Sequence, residues 1–282
     1  VLVSKLLEWL ATPFRHGICR VYVGVRLLRK WKASGVDVDG HILSFLTHAG
    51  VSKKLDMGNV YHAISELVRS QTFSVGRYLQ WLMAKGVTNR QSHDPLSVTE
   101  ASGDLGLIAQ LPIGRLPEHV ANLRKTLMVR TGFSVSDEDE MVANIKVLIS
   151  QRLPSLFRST MLLDTSLSSL PSDLTWAVKA EIALWLRRGV AEHTRASASP
   201  LRAMLPGEGG QLVSALTSEE FYTVRDVLET IGDISMLADV LRVASSSDNS
   251  TVLASVADTT NSHFDSLSVI GATMDLFRKL VD

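Results

Sequence analysis

Gly17-Ile18-Cys19-Arg20-Val21-Tyr22-Val23-Gly24-Val25-Arg26-Leu27-Leu28-Arg29-Lys30-Trp31-Lys32-Ala33-Ser34 places Ile18, Val21, Val25, Leu28 and Trp31 every three or four positions. That is the period of a helix with one buried stripe. Gly35 follows in the usual place of a left-handed cap. Upstream, Lys5 to Ala11 reads as the end of another helix, punctuated by Pro13 and joined to the first by a short basic turn. Arg20, Arg26, Arg29, Lys30 and Lys32 fall largely off the apolar stripe. They make either an ordinary solvated face, with stems lying over apolar neighbours, or a docking patch for an acidic partner.

The same period continues along the chain. Asp39 is expected to cap a helix from Gly40 to His48 that turns Ile42, Phe45 and Leu46 inward. Val36-Asp37-Val38-Asp39-Gly40 looks like the start of a calcium loop, but His41 and His48 stand where ligands would be required, so calcium is rejected. Asp56 precedes Met57 to Ser70, with Val60, Ile64, Leu67 and Val68 inside; Ser74 caps a helix carrying Val75, Tyr78, Leu79, Leu82 and Met83, which Gly86 stops. Helices so closely connected fold back as an antiparallel pair.

Pro117 opens a helix with Val120, Leu123 and Leu127 buried, and Ser136 is expected to cap Asp137 to Leu153. The acidic first turn Asp137-Glu138-Asp139-Glu140 then faces the positive end of its own helix dipole. Leu174 to Gly189 is helical, with Leu174, Val178, Ile182 and Trp185 on one face. From Thr217 four stripes follow at short intervals. The first starts from a Thr217/Glu220 capping box and carries Phe221, Val224, Leu228 and Ile231. The second is Ile234, Leu237, Leu241 and Ala244; the third Val252, Val256 and Thr260; the fourth Leu267, Ile270, Met274 and Phe277.

Helical pairs that cannot bury their faces alone stack on one another. The expected fold is therefore all-α, with antiparallel helix pairs stacked as an irregular HEAT-like α-solenoid. A repeat of about forty residues suits such units better than the shorter tetratricopeptide repeat, whose signature is missing. The organisation read from this pattern is an irregular helical scaffold over 1–193, with exposed loops near 87–104 and 158–172. A flexible Ser-, Ala-, Pro- and Gly-rich linker follows over 194–211, then regular helix pairs over 212–282.

A chain of 282 residues with 45% hydrophobic content supports a sizeable core. Val1 begins in mid-pattern and is taken as part of a longer protein. Cys19, the single cysteine, excludes an internal disulfide and a thiolate zinc cage, and suits a reducing compartment. No apolar run approaches the roughly 18 residues of a membrane span. The 29 basic and 29 acidic residues cancel, yet residues 1–100 carry +6 and residues 201–282 carry −7. Such segregation suits two ends that meet different partners. No basic stretch is interleaved with stacking aromatics as a nucleic-acid groove requires.

No catalytic, cofactor-binding or metal-binding residue emerges. Gly-x-Ser-x-Gly, His-Glu-x-x-His and phosphate or dinucleotide fingerprints are all missing, and the eight histidines are scattered. His263 near Asp265 and Ser266 reads as a helix start. Gly207-Glu208-Gly209-Gly210 lacks the ending of a phosphate loop, and the Asn249-Ser250-Thr251 sequon reads as a chance match. Ser199-Pro200 is a short candidate phosphosite. The residues therefore describe a helical interaction module; a helical enzyme would need a cleft of convergent buried ionisable groups.

The segment Leu6-Leu7-Glu8-Trp9-Leu10-Ala11 with Gly17, Arg20, Val23, Leu27 and Leu28 resembles the signature of the Mediator of RNA polymerase II transcription subunit 12 family, a Leu-Cys-Glu-Trp-Ala-Val block followed by Gly-x-x-Arg-x-x-Val-x-x-x-Leu-Leu. Leu7, Leu10 and Ala11 replace the block's Cys, Ala and Val. Ile64 to Gly86, Leu116 to Arg124, Arg152 to Phe157 and Ser235 to Asp265 are similar to the fungal branch of that family. The resemblance implies a non-catalytic, nuclear scaffold of the Mediator kinase module that links a cyclin-dependent kinase and cyclin C with Mediator subunit 13 in transcription regulation. The family's kinase-activating segment is expected upstream of this block. Under this reading Arg15, Arg20, Arg26, Arg29 and Lys30 form the partner-facing patch, with no cofactor, membrane, small-molecule substrate or sequence-specific nucleic acid. The alternative is a helical adaptor binding nucleic acid or other proteins outside Mediator.

Overall fold

A computed structural model describes residues 2–14, 17–49, 55–86, 103–114, 116–157, 169–197 and 216–281. Fourteen helices and no strand occur among the described residues. They are α1 (Leu2–Ala11), α2 (Cys19–Ala33), α3 (Val38–Ala49), α4 (Gly58–Arg69), α5 (Val75–Ala84), α6 (Gly103–Gln110), α7 (Glu118–Arg130), α8 (Val135–Arg152), α9 (Trp176–Ser197), α10 (Ser218–Ile231), α11 (Ile234–Ala244), α12 (Ser250–Ser262), α13 (Phe264–Ile270) and α14 (Thr273–Val281). The all-α expectation of stacked helix pairs is borne out. The chain divides into two compact units, 1–142 with 173–181 and 143–172 with 182–282. The expected loops near 87–104 and 158–172 lie mostly outside the described residues, as do Ser199 and most of the linker at 194–211.

In the first unit α4 is the central rod. Val60, Ala63, Ile64, Leu67 and Val68 are buried as the stripe requires, and His62, Ser65 and Glu66 are buried with them. A helix enclosed on more than one side must be covered by several neighbours. Here α1, α2 and α6 pack on it, and the Trp176 ring at the start of α9 stacks on His62 with centroids 3.7 Å apart. Tyr22 of α2 meets the same imidazole edge-on at 5.5 Å. The Trp176 N–H donates to Gln110 Oε1 at 2.8 Å, which fastens the start of α9 to the end of α6. Where α1 crosses α2, Gly24 lies against Leu10; a Cβ there would stand 2.9 Å from both Leu10 methyl carbons.

Several local expectations are corrected. Asp39 does not cap α3. It is buried and pairs with Lys32 at 3.0 Å, while Asp37 accepts the Gly40 N–H at 3.1 Å. The Asp137 N–H is received by Ser134 rather than Ser136. Position within the first turn decides which of two nearby oxygens reaches an amide, and spacing in sequence does not resolve it. Helix α6 is too short to show a helical period in the sequence, yet Leu105, Leu107, Ile108 and Ala109 are buried, with Leu111 just past its end. Ser74 does cap α5 through the Arg77 N–H, and Gly35 adopts the left-handed φ of 86° that its place required.

Acidic residues of α8 do more than face its dipole. Arg124 of α7 is fully buried, where its Nε donates to Ile108 O at 2.8 Å and its fork holds Glu138 at 2.9 and 2.8 Å. Lys125 pairs with Asp139 at 2.9 Å beside it. Charges enter a core only when paired and hydrogen-bonded throughout, and a bidentate guanidinium meets that condition.

In the second unit α11 is the central rod, burying Ile234, Met236, Leu237, Ala238, Val240, Leu241 and Ala244. Helices α10, α12, α13 and α14 surround it. The Thr217/Glu220 capping box forms as read, and Glu220 also accepts a hydrogen bond from Ser155. Burial would raise the Glu220 pKa, but hydrogen bonds from Ser155 and Thr217 outweigh it and hold the carboxyl below its ordinary value. Gly189 does not end α9, which runs on to Ser197. Instead Phe157 occupies the place a Cβ would take, 2.2 Å from its ring, while stacking on Trp185 at 3.8 Å. The fourth stripe is also corrected: Gly271, with φ of 87°, separates α13 from α14, so Leu267 is buried whereas Met274 and Phe277 are exposed.

Replacing Arg124 by Met should destabilise the protein by about 3–5 kcal/mol, because Glu138 is then left partly buried without its partner. Adding Glu138→Leu should recover about half of that loss, the signature of a coupled pair. Urea unfolding of both variants checks this; additive losses would contradict it. Glu220→Ala should cost about 1 kcal/mol through the lost cap. Because the folded Glu220 pKa is depressed, its contribution is full above the ordinary carboxylate range and fades as pH falls through the lower folded value, which melting curves from neutral to acid pH would follow.

Candidate partner-binding surface

Helix α2 carries five basic residues and no acidic one. Its buried side, Val21, Tyr22, Gly24, Val25 and Leu28, fixes which of the five look outward. Arg15 lies outside the described residues. Arg20 is half-buried and donates from Nη1 to Thr12 O at 2.7 Å, tying the turn between α1 and α2. Lys32 is turned into the unit by Asp39 and by the carbonyl of Thr72. Arg26, Arg29 and Lys30 remain, all exposed, at spacings of three and one. Residues so placed share one side of a helix. The structure thus keeps three members of the candidate patch together and shows Arg20 holding the chain's own backbone.

A second feature of the same unit is a groove of about 790 Å³ between α1 and α3. Trp9, Phe45 and Leu55 give it apolar walls, Phe14 stands at its edge 87% exposed, and Lys5 and Glu8 pair at 2.7 Å on its rim. Trp9 and Glu8 are the two polar-tipped residues of the Leu6 to Ala11 block. That block was legible in the sequence; the groove was not, because α3 supplies the other wall.

Perturbed titrations have structural causes. Arg77 grips Asp37 with both nitrogens, one at 2.8 Å, and with the Gly40 N–H it lowers the Asp37 pKa from 3.8 to about 2. The pair joins the start of α3 to α5. Burial pushes the Tyr78 phenol well above its ordinary value, and its hydroxyl donates to Asp104 O at 2.6 Å. Burial and the nearby Asp104 charge raise Tyr61 to about 12. Burial lowers Lys179, whose ammonium stands 4.5 Å from the Trp176 ring centroid. Among the described residues no three His, Cys, Asp or Glu side chains gather as metal ligands, and no helix is long and apolar enough to cross a membrane.

Residues 133–282 match the profile of the SRB8 ARM-like domain, which covers all of α8 through α14. The chain belongs to the SRB8 ARM-like domain family. It is also similar over its whole length to curated proteins named Mediator of RNA polymerase II transcription subunit 12. Identity is 54% over 297 residues with that of Aspergillus oryzae, covering 100% of this chain and 18% of the relative. It is 56% over 283 residues with that of Aspergillus terreus, covering 100% and 17%. With that of Phaeosphaeria nodorum it is 33% over 279 residues, covering 99% and 16%. The chain therefore spans about a sixth of the length of these relatives. No solved structure matches. The resemblance to the fungal branch, read from separate short segments, is borne out across the chain.

Asp37→Asn should lower the melting midpoint at pH 7 by removing the charged tie to Arg77. Because the folded Asp37 pKa lies below its unfolded value of 3.8, this difference is full above about pH 4 and closes as pH falls toward 2. Circular dichroism melts of the variant and its parent at several pH values would show it; a gap that widened in acid would contradict the assignment.

Proposed function

We propose that the chain is a non-catalytic helical scaffold of the Mediator kinase module, a nuclear regulator of transcription. In this reading it links and supports the cyclin-dependent kinase and cyclin C with Mediator subunit 13. The observation that carries the proposal is the alignment of the whole chain with the named Mediator subunits at 54 and 56% identity. Its physical basis is the fold: stacked helices present side chains at fixed separations without needing a reactive centre. The outward strip Arg26, Arg29 and Lys30 on α2 is its partner-facing surface, and an acidic protein surface is the complement.

Charge reversal tests this directly. Arg29→Glu with Lys30→Glu should leave the helical content and melting midpoint unchanged, since both side chains are exposed. The pair should weaken capture of the reconstituted kinase, cyclin C and subunit 13 by about tenfold at low salt, the effect shrinking as salt rises. Unchanged capture at every salt concentration would remove the strip from the interface. Poor capture of all three proteins, together with tight binding of duplex DNA and steep salt dependence, would favour the adaptor reading instead.

A further inference from the structure

Helix α14 carries two apolar stripes and buries one. Thr273 and Leu276 are buried and Leu280 is half-buried, facing the rest of the second unit. One residue further along, and so about 100° around the helix, Met274, Phe277 and Val281 are 72%, 44% and 86% exposed. Phe264 of α13, 45% exposed, extends the same strip, its ring 6.3 Å from that of Phe277. Of the charged residues of α14, Arg278 is exposed and borders the strip one turn from Met274, while the other two turn away from it. Asp275 lies 3.8 Å from Arg242, and Lys279 donates to the Arg242 carbonyl at 2.9 Å, so both reach back to α11.

The central rod of this unit shows what such a pattern serves. In α11 a first stripe, Ile234, Leu237 and Leu241, and a second, Met236 and Val240, are both buried, because neighbours cover the helix on more than one side. Helix α14 also carries a second apolar stripe, but leaves it exposed. An exposed apolar strip of neighbouring side chains marks a face that another element covers.

We propose that Met274, Phe277 and Val281 of α14, with Phe264 of α13, seat a further amphipathic helix of the same polypeptide. Two observations favour that occupant. Consecutive helices in this fold stack on their sequence neighbours through short connections, as α10 to α14 do. The Mediator relatives also carry more than four-fifths of their length outside the part that matches this chain. The seated helix presents apolar side chains at three- and four-residue spacing, since only that period meets Met274, Phe277 and Val281 together.

Oxidation of Met274 reads its cover without a mutation. Brief exposure to peroxide, followed by mass spectrometry, should oxidise Met274 readily in the 282-residue chain and about tenfold more slowly in the full-length protein. Met236, buried in both, is the slow internal reference. As a second readout, Met274→Asp with Phe277→Asp should leave the melting midpoint of the 282-residue chain unchanged, and should speed amide exchange of α14 in the full-length protein. Equal oxidation of Met274 in the two proteins overturns the proposal. So does protection of the 282-residue chain that grows with its concentration, which assigns the strip to a second copy. Protection of the full-length protein only after other subunits are added assigns it to a separate partner and overturns it as well.

Discussion

A helix with one apolar stripe needs one neighbour, whereas a helix apolar around most of its girth needs several, and those must arrive from different directions. Helix α11 is of the second kind, and α4 is enclosed as widely although His62, Ser65 and Glu66 make part of its buried girth polar. Water is excluded from nearly every residue between Val60 and Val68, a burial that is favourable only if α1, α2, α6 and the start of α9 all cover it together. The arrangement of each unit follows from enclosing such a rod. Regular propensity alone would supply helices without fixing their partners.

The polar residues that accompany this burial obey the same constraint. His62 lies flat on Trp176, and Arg124 enters the core fully hydrogen-bonded to Glu138 and Ile108. Lys32 and Asp39 join α2 to α3, and Arg77 and Asp37 fasten α3 to α5. Each tie joins two different helices: the exposed Arg77–Asp37 pair adds little stability and chiefly sets register, whereas the buried Arg124–Glu138 pair is costly to break. What is left over on α2 is the exposed strip of Arg26, Arg29 and Lys30.

Membership of the SRB8 ARM-like domain family agrees with this physical picture. Armadillo-like stacks work through surfaces, and three surface features stand out among the described residues. The groove beside Trp9 and the apolar strip of α14 differ in kind from the basic strip of α2: two are apolar and one is charged. Under the proposed scaffold reading, such chemically distinct faces would keep one partner from occupying another's seat.

The apolar period by itself determined that the chain is helical, where most helices lie, and which stripes of α2, α4, α5, α10 and α11 turn inward, because one buried stripe leaves a mark in one dimension. The capping box at Thr217 and Glu220 and the left-handed turn at Gly35 were legible for the same reason, being made of residues a few positions apart. Only the tertiary structure decided that Arg124 is core, that Asp39 and Glu138 pair across helices, that Gly189 makes room for Phe157, and that Gly271 divides the last stripe into two rods. Those outcomes depend on which helix arrives from elsewhere in the chain, and the spacing of residues within one helix carries no record of its neighbour's charge, bulk or direction.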